Sequence, residues 1–297
     1  MPIGEEGLGA YAREQLEAAR RDPRLERGSG AMIADFWAAM EEADRARMAA
    51  IFGLHELQRG LRRERERFEA EGGDKRAEDE LQALWERAEL ARAEIENDHP
   101  AFNAQALIAM NSALDALVEQ FVEAVRDLPF LVRMKEAEEQ VPEAAEILTS
   151  EMRETMLEKL REAFKVSKLE RLGREGGGTA RYEPLLRQVA LDAPEDRSIP
   201  DDLDQALAEI GALRDVLIHR AGRVDGKAFE KALSLRERFE EGELVRLTGE
   251  DFRTYSAAIH CFGAEVIHRF YRRWPDLADP EGGPNLANWR EYHTINA

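Results

Sequence analysis

Cysteine is almost missing from this sequence, because Cys261 is the only one among 297 residues. A single thiol excludes an intrachain disulfide, and chains without disulfides are typical of reducing compartments. The sequence also has no run of about twenty apolar residues, and its N-terminus lacks the basic and apolar regions of a secretory signal. We therefore expect a cytoplasmic protein with no membrane association.

Alternating runs of β-branched residues, the usual signature of β-strands, are also missing. Apolar residues recur instead at steps of three and four, as they do along amphipathic helices. The sequence therefore predicts an all-α fold. The His99-Pro100 pair predicts a helix break, because proline disfavours helical backbone in the residue before it.

Three regions are expected along the chain. Residues 1–96 form an N-terminal helical accessory region, and residues 97–274 form a larger helical domain. Residues 275–297 form an irregular C-terminal tail. In that tail, Trp289 and Tyr292 either pack on the helical bundle or bind a partner, and the sequence leaves both alternatives open.

The accessory region is expected to contain a helical hairpin. Helices are predicted over residues 9–21, 31–70 and 75–95, and the last two are antiparallel partners. The apolar stripe of the last helix is expected to contact Phe36 and Met40 of the one before it. This hairpin either packs on the larger domain or binds a partner protein.

Basic residues are outnumbered, since 42 Lys and Arg stand against 61 Asp and Glu and give a formal net charge of −19. Such a protein does not bind nucleic acid by general counterion release, so any RNA contact has to be local. The segment from Arg214 to Lys227 departs from this trend, because basic residues outnumber acidic ones there. Its basic residues are Arg214, Arg220, Arg223 and Lys227, and its acidic ones are Asp215 and Asp225.

Several catalytic motifs are absent from the sequence. The glycine run at 176–178 lacks the Gly-Lys-Ser/Thr ending of a phosphate-binding loop, and no Gly-x-Ser-x-Gly motif occurs. Glu265 and His268 have the Glu-x-x-His spacing of helical di-iron proteins. This isolated pair is unspecific, because no cysteines or carboxylates at metal-ligand spacing accompany it. We expect no metal and no cofactor.

The candidate chemistry lies in the segment Leu213–Asp225, at the end of a predicted helix. Asp201-Asp202 is a good helix start, and apolar residues then recur from Leu203 to Leu217. Gly222 follows at the position where a left-handed helix cap is expected. His219 is therefore predicted at the C-terminal end of this helix.

Arg214, Asp215 and His219 are the candidates for phosphate chemistry. An arginine offers a fork of donors that suits a phosphate, and a histidine moves protons near neutral pH. Arg214 follows Ile210 by four residues and lies on the apolar stripe, where it needs an acidic partner or a ligand. Asp215 and His219 share a helix face, so the carboxylate can hold the imidazole in one tautomer.

Arg214 and His219 are separated by about 140° around an ideal helix. They converge only through the helix cap, a long arginine stem or a second subunit. Arg-x4-His is also unspecific by itself, since about one match is expected by chance in this sequence. A structural alternative therefore stays open, in which His219 caps the helix and Arg214 binds a neighbouring glutamate.

The segment resembles the core of the HEPN family, which consists of small all-helical domains. Its nucleases carry an arginine, a polar residue, three further residues and then a histidine near the end of the third helix. The segments Phe102–Leu128 and Leu247–Phe270 resemble the first and closing helices of the family, so the resemblance covers Asn97–Trp274. The residues that match the motif and its continuation are Arg214, Asp215, His219, Gly222 and Asp225.

The resemblance implies a HEPN-like helical bundle over residues 97–274, with the N-terminal hairpin as an extension. It also implies metal-independent RNA cleavage, in which His219 acts as general base or acid. Arg214 binds the phosphate and Asp215 orients His219. The expected products are a 2′,3′-cyclic phosphate and a 5′-hydroxyl. The residues expected to bind RNA around them are Arg220, Arg223 and Lys227.

Members of the family usually pair so that both copies of the motif face one cleft, so a homodimer is part of the expectation. Such nucleases serve bacterial defence and toxin systems. Two alternatives stay open beside cleavage. One is a non-catalytic module that assembles with a partner protein through the N-terminal hairpin. The other is a helical protein that binds a nucleotide or small ligand at Arg214.

Overall fold

The computed structural model describes residues 28–71, 75–125, 177–191, 193, 198–273 and 286–291, together with residues 155, 158 and 159. These residues contain helices and no β-strand, so the predicted all-α class is confirmed for them. No helix in them is long and apolar enough to cross a membrane. The helix predicted over residues 9–21 lies outside the described residues.

Seven α-helices and three short 3₁₀ helices make up the described part of the chain. The α-helices are α1 (Gly28–Glu71), α2 (Lys75–Glu96), α3 (Pro100–Val125), α4 (Glu183–Gln188), α5 (Asp201–His219), α6 (Gly226–Lys231) and α7 (Gly249–Arg273). The 3₁₀ helices span Gly178–Arg181, Leu233–Glu237 and Leu286–Glu291.

The hydrophobic core lies where α3, α5 and α7 pack together. Phe121 of α3 stacks on Phe270 of α7 with ring centroids 4.6 Å apart. Tyr182, which precedes α4, packs against Phe262 of α7 at 5.4 Å. On α5, the apolar stripe read from the sequence is buried from Leu203 to Leu213, as its spacing predicts, and Leu217 at its end is partly buried. This packing fixes the axis of α5 and therefore the position of its C-terminal end.

Helix α1 contributes to the same core. Phe36 and Met40 are buried in it, and a Cβ on Gly263 of α7 would lie 2.4 Å from Cζ of Phe36. The ring of Phe36 thus lies against the glycine of α7, and the expected contact of Phe36 and Met40 with the stripe of α2 stays a prediction. The hydrophobic core therefore contains residues from both sides of the boundary predicted at residue 97.

The break between α2 and α3 lies at residues 97–99, where His99-Pro100 predicts it. Asp98 and His99 both have a φ of 62°, a left-handed conformation that non-glycine residues rarely adopt. The buried side chain of Asn103 donates hydrogen bonds to the carbonyls of Asp98 at 2.7 Å and of Leu247 at 2.8 Å. It also accepts one from Arg47 of α1 at 2.7 Å. A single buried amide therefore joins α1, the break and the segment before α7.

The C-terminal tail returns to the bundle through Trp289. Its side chain is buried in the core, and its 3₁₀ helix packs on α7. Of the two alternatives for this tryptophan, packing on the bundle is the one observed. Tyr292 lies outside the described residues.

A buried polar network anchors the middle of α5. Glu209 is 6% exposed and accepts hydrogen bonds from Ser234 at 2.5 Å and Tyr255 at 2.6 Å. Arg238 pairs with Glu209 at 3.1 Å and with Asp251 of α7 at 2.5 Å. Burial by itself raises the pKa of Glu209, but the hydrogen bonds from Ser234, Tyr255 and Gln205 together with the charge of Arg238 outweigh it and leave that pKa lowered. The ionised carboxylate therefore holds α5, α7 and the segment between them together.

Candidate functional site

The C-terminal end of α5 is closed by a left-handed cap. The backbone N–H groups of Arg220 and Gly222 donate to the carbonyl of Val216 at 2.9 and 3.1 Å. Ala221 and Gly222 have φ values of 51° and 74°, and glycine adopts such values without strain. A Cβ on Gly222 would also lie 3.2 Å from the side chain of Leu244. The cap therefore ends α5 at His219 and turns the chain sharply.

The chain after this cap is held in place by residues 242–245. Arg223 and Leu244 form an isolated antiparallel bridge, and the N–H of Val224 donates to Glu243 at 2.9 Å. Asp225 then caps α6, since its carboxylate accepts from the N–H of Ala228 at 3.0 Å. Helix α6 is thereby folded back along the last turns of α5.

A cleft of about 230 Å³ lies between α5 and α6. Its apolar lining consists of Ala212 and Val216 of α5 and Ala228 of α6. The charged side chains of the lining come from α5, from α6 and from the turn between them. The charged and titratable residues of the lining are Asp215, His219, Arg220, Asp225, Lys227 and Lys231.

His219 is exposed at the mouth of this cleft. Within the described part of the chain, its imidazole has no hydrogen bond or ion pair. Asp215 lies one helical turn earlier and faces the same cleft, as their spacing predicts. Its carboxylate, however, accepts a hydrogen bond from Nζ of Lys231 on α6. Asp215 therefore contacts Lys231 rather than His219 in this arrangement, and its role in orienting His219 stays a prediction.

Arg214 does not line the cleft. Its side chain is 26% exposed, and its Nη1 lies 3.6 Å from Oδ1 of Asp215. Its Nε is shielded from solvent and has no hydrogen-bond partner. The acidic neighbour that the apolar stripe requires is thus the adjacent aspartate, and not a glutamate. Arg214 and His219 point to different sides of α5, as their angular separation predicts.

The other side of Arg214 faces a polar cluster between α3 and the 3₁₀ helix Gly178–Arg181. Asp115 of α3 pairs with Arg181 at 2.7 Å and accepts a hydrogen bond from the hydroxyl of Tyr182 at 2.8 Å. Burial and the carboxylate of Asp115 raise the pKa of Tyr182, while Arg181 and Arg214 act in the opposite direction. Tyr182 is therefore a neutral hydrogen-bond donor near neutral pH.

The three residues expected to bind RNA have different surroundings. Arg220 lines the cleft and pairs with Asp225 at 3.1 Å. Arg223 is outside the lining and donates to the carbonyl of Gly242 at 2.9 Å. Lys227 lines the cleft and has no ion pair among the described residues. Lys231 was missed by the sequence reasoning, although its position four residues after Lys227 could have indicated a shared helix face.

The described residues contain no group of three His, Cys, Asp or Glu side chains able to hold a metal ion. In the Glu265-x-x-His268 pair, the buried carboxylate of Glu265 binds Arg269 at 3.0 Å. Arg269 is itself buried and also pairs with Glu183 at 2.7 Å. Glu265 is thus one member of a buried ion pair with Arg269.

Comparison of the chain with protein-family models, curated proteins and solved structures gave no match. The HEPN resemblance therefore depends on the residues quoted for it. The functional argument that follows depends on those residues and on the geometry of the cleft.

Proposed function

We propose that this protein is a metal-independent endoribonuclease of HEPN type. The observation that carries the proposal is the cleft at the end of α5, where an unpaired histidine lies with Arg220, Lys227 and Lys231. A solvent-accessible imidazole beside several cations is suited to proton transfer next to a phosphate. The chain as a whole has a formal net charge of −19 and therefore repels RNA outside such a cationic site. Contact with RNA is therefore restricted to this cleft.

In the proposed reaction, the 2′-hydroxyl of one nucleotide attacks the adjacent phosphorus. His219 takes the proton of that hydroxyl as a general base. The bond from phosphorus to the 5′-oxygen breaks, and that oxygen receives a proton from a general acid. The products are a 2′,3′-cyclic phosphate and a 5′-hydroxyl. Cationic side chains around the phosphate stabilise the charge that develops on its oxygens.

One copy of the chain supplies one histidine to this cleft, whereas the reaction uses both a base and an acid. In a homodimer, the second copy would supply another His219, and the Arg214 of each copy would contact the cleft of the other. Ile218 and Leu244 support such pairing, because both lie beside the end of α5 and are exposed, at 45% and 43%. Exposed apolar residues next to a polar site are suited to protein contact. The resemblance places such nucleases in bacterial defence or toxin systems.

The test is incubation of the purified protein with single-stranded and structured RNA in the presence of a chelator. Cleavage that yields 2′,3′-cyclic phosphate ends and is lost in His219→Ala and Arg214→Ala would support the proposal. Arg63→Ala is the matched control, because Arg63 is exposed on α1 and takes no part in the cleft. Cleavage that survives His219→Ala would exclude the mechanism, and a protein that cuts none of the RNAs is not a nuclease.

A second candidate is a protein that binds a nucleotide or another phosphate ligand without cleaving RNA. The pairing of Asp215 with Lys231 favours it, because His219 then has no carboxylate to fix its tautomer. Binding of a nucleotide at the cleft, with no product from any RNA and no effect of His219→Ala on binding, would support this candidate over the nuclease.

A further inference from the structure

We propose that Lys231 is the principal phosphate-binding residue of the cleft. In the absence of a ligand, Asp215 takes the place of the phosphate by pairing with the ammonium group of Lys231. The ligand class is a phosphate group carried by a ribonucleotide or by single-stranded RNA. The inference rests on the proposed function, since the bound phosphate is the one whose ester bond His219 would help to break. It assigns to α6 a role that the sequence motif assigns to Arg214.

The position of the two cations is the first argument. Arg214 is outside the lining of the cleft, and its guanidinium lies 3.6 Å from Asp215. Lys231 is in the lining, its side chain is 41% exposed, and its ammonium reaches Asp215 across the cleft from the opposite helix. Within one copy of the chain, Lys231 therefore faces the space beside His219 directly, whereas Arg214 lies behind the carboxylate of Asp215.

The balance of charge is the second argument. Apart from His219, the charged lining contains three basic residues and two acidic ones. Arg220 is paired with Asp225, and Lys231 with Asp215, which leaves Lys227 without an ion pair among the described residues. The cleft thus has a surplus positive charge within an acidic protein. A phosphate that displaces Asp215 from Lys231 gains a second cation one helical turn away from the first.

The size of the cleft limits what it can hold. At about 230 Å³ it is smaller than the roughly 300–1,000 Å³ of clefts that enclose drug-sized ligands. It therefore fits one phosphate and part of one nucleotide, and the remainder of an RNA strand would lie outside it. A lysine suits this role, since its ammonium binds phosphate as a point charge and does not need a fixed orientation.

Competition between Asp215 and the phosphate for Lys231 predicts that loss of the Asp215 carboxylate strengthens phosphate binding. If Asp215 occupies Lys231, Asp215→Asn frees the ammonium and removes a negative charge from the cleft, so phosphate binding becomes tighter. If Asp215 serves only to orient His219, the gain comes from the lost negative charge alone and is the same in the Lys231→Ala background, whereas competition for Lys231 predicts a smaller gain in that background. The sign of this effect is independent of whether the protein cleaves RNA.

The experiment measures binding of a fluorescent single-stranded 2′-O-methyl oligoribonucleotide, which lacks the attacking hydroxyl and stays intact. Adenosine monophosphate as a competitor distinguishes a free nucleotide from an RNA strand as the source of the phosphate. Lys231→Ala is expected to weaken binding about tenfold, as loss of a charge-assisted hydrogen bond does. Its salt slope should fall by about 0.7, the value for one lost phosphate contact on a single strand.

Lys231→Arg should stay within about threefold of the wild type, because it keeps the charge. Asp215→Asn should bind more tightly, and Arg63→Ala should bind like the wild type. Far-UV circular dichroism of each variant checks that its helices are retained. Unchanged binding by Lys231→Ala, equal weakening by Lys231→Ala and Arg63→Ala, or no binding of either probe at low salt would each overturn the inference. Tight binding without cleavage of ordinary RNA would instead count against the nuclease alone.

Discussion

Asp225 makes two contacts at the edge of the cleft, and they contribute differently to stability. Its carboxylate accepts the N–H of Ala228 at the start of α6 and also pairs with Arg220 at 3.1 Å. The side chains of this ion pair are 33% and 48% exposed, so solvent screens it and it contributes little. The helix cap is the larger contribution, because the carboxylate accepts from an N–H in the first turn of α6, whose backbone partner is the carbonyl of Asp225 itself.

The first stability prediction follows from that cap. Asp225→Ala should lower the free energy of unfolding by about 1 kcal/mol, the usual cost of removing an N-cap side chain. Asp225→Asn should cost less, because an asparagine oxygen also accepts the capping hydrogen bond but the ion pair is lost. Urea denaturation of the three proteins measures both values. Equal losses in the two variants would mean that the charge of Asp225 matters and the cap does not.

At the scale of single residues, the sequence predicts what helix geometry determines. The shared face of Asp215 and His219, the separation of Arg214 from His219, and the cap at Gly222 all follow from local rules. The contact between Asp215 and Lys231 does not follow from them. It depends on how the segment after Gly222 folds α6 back on α5, and bridging to residues 242–245 sets that path.

At the scale of helices, α1 and α7 come into close contact at Gly263. The ring of Phe36 occupies the space that a side chain at position 263 would fill, with Cζ 2.4 Å and Cε1 2.7 Å from an ideal Cβ. Trp37, the next residue of α1, stacks on His260 of α7 with ring centroids 5.6 Å apart. A glycine inside α7 therefore permits the ring of Phe36 to lie against that helix.

The second stability prediction compares two glycines in helix interiors. Gly263→Ala should lower the free energy of unfolding by about 1–3 kcal/mol, since the added methyl overfills a packed site. Gly53→Ala should raise it by about 0.5–1 kcal/mol, because nothing lies within 4 Å of the added Cβ on α1 and alanine is the better helix former. Thermal or urea unfolding gives both signs.

The clash with Phe36 can be isolated with a double mutant. Phe36→Leu removes part of the ring, so Gly263→Ala should cost less in that background than in the wild type. Equal costs in the two backgrounds would show that the loss at position 263 has a cause other than Phe36.

Sequence periodicity alone could not reveal this contact between helices. It predicts that Phe36 and Met40 lie on an apolar face of α1, which the structure confirms by their burial. It carries no information about which helix that face contacts, and the neighbour in sequence, α2, is the default choice for a hairpin. The deciding feature is a single glycine more than 200 residues away in the sequence, and a glycine inside a helix has many explanations.

At the scale of the whole molecule, two features of charge stand out, namely the buried network around Glu209 and the large excess of acidic residues in the chain. The formal net charge of −19 keeps polyanions away except where cations cluster, so the cleft beside α5 is both the chemical and the electrostatic candidate. The contrast between an acidic protein and a local group of cations is predicted by the net charge and by the basic segment from Arg214 to Lys227. The buried position of Glu209 could not be predicted from composition, because its partners Ser234, Arg238 and Tyr255 come from later segments that only the fold brings together.

Glu209 gives a pH-dependent prediction for the whole fold. Its pKa lies below the usual 4.5, so the ionised group adds stability above that pH, and this contribution is lost as the pH falls through the lowered pKa. Glu209→Gln should therefore cost about 2 kcal/mol at pH 7, as expected for losing charge-assisted hydrogen bonds. The difference from the wild type should shrink below pH 4.5, because a protonated glutamate resembles glutamine. Urea titrations between pH 3 and 7 measure it.

The matched control is Glu237→Gln, because Glu237 is exposed in the 3₁₀ helix that also contains Ser234. Its difference from the wild type should stay near zero throughout, since an exposed carboxylate gains little from folding. If the Glu209→Gln difference is instead constant across the pH range, the ionised charge does not stabilise the fold. The network would then act through shape and neutral hydrogen bonds, and the acid sensitivity of the protein would have to come from its surface.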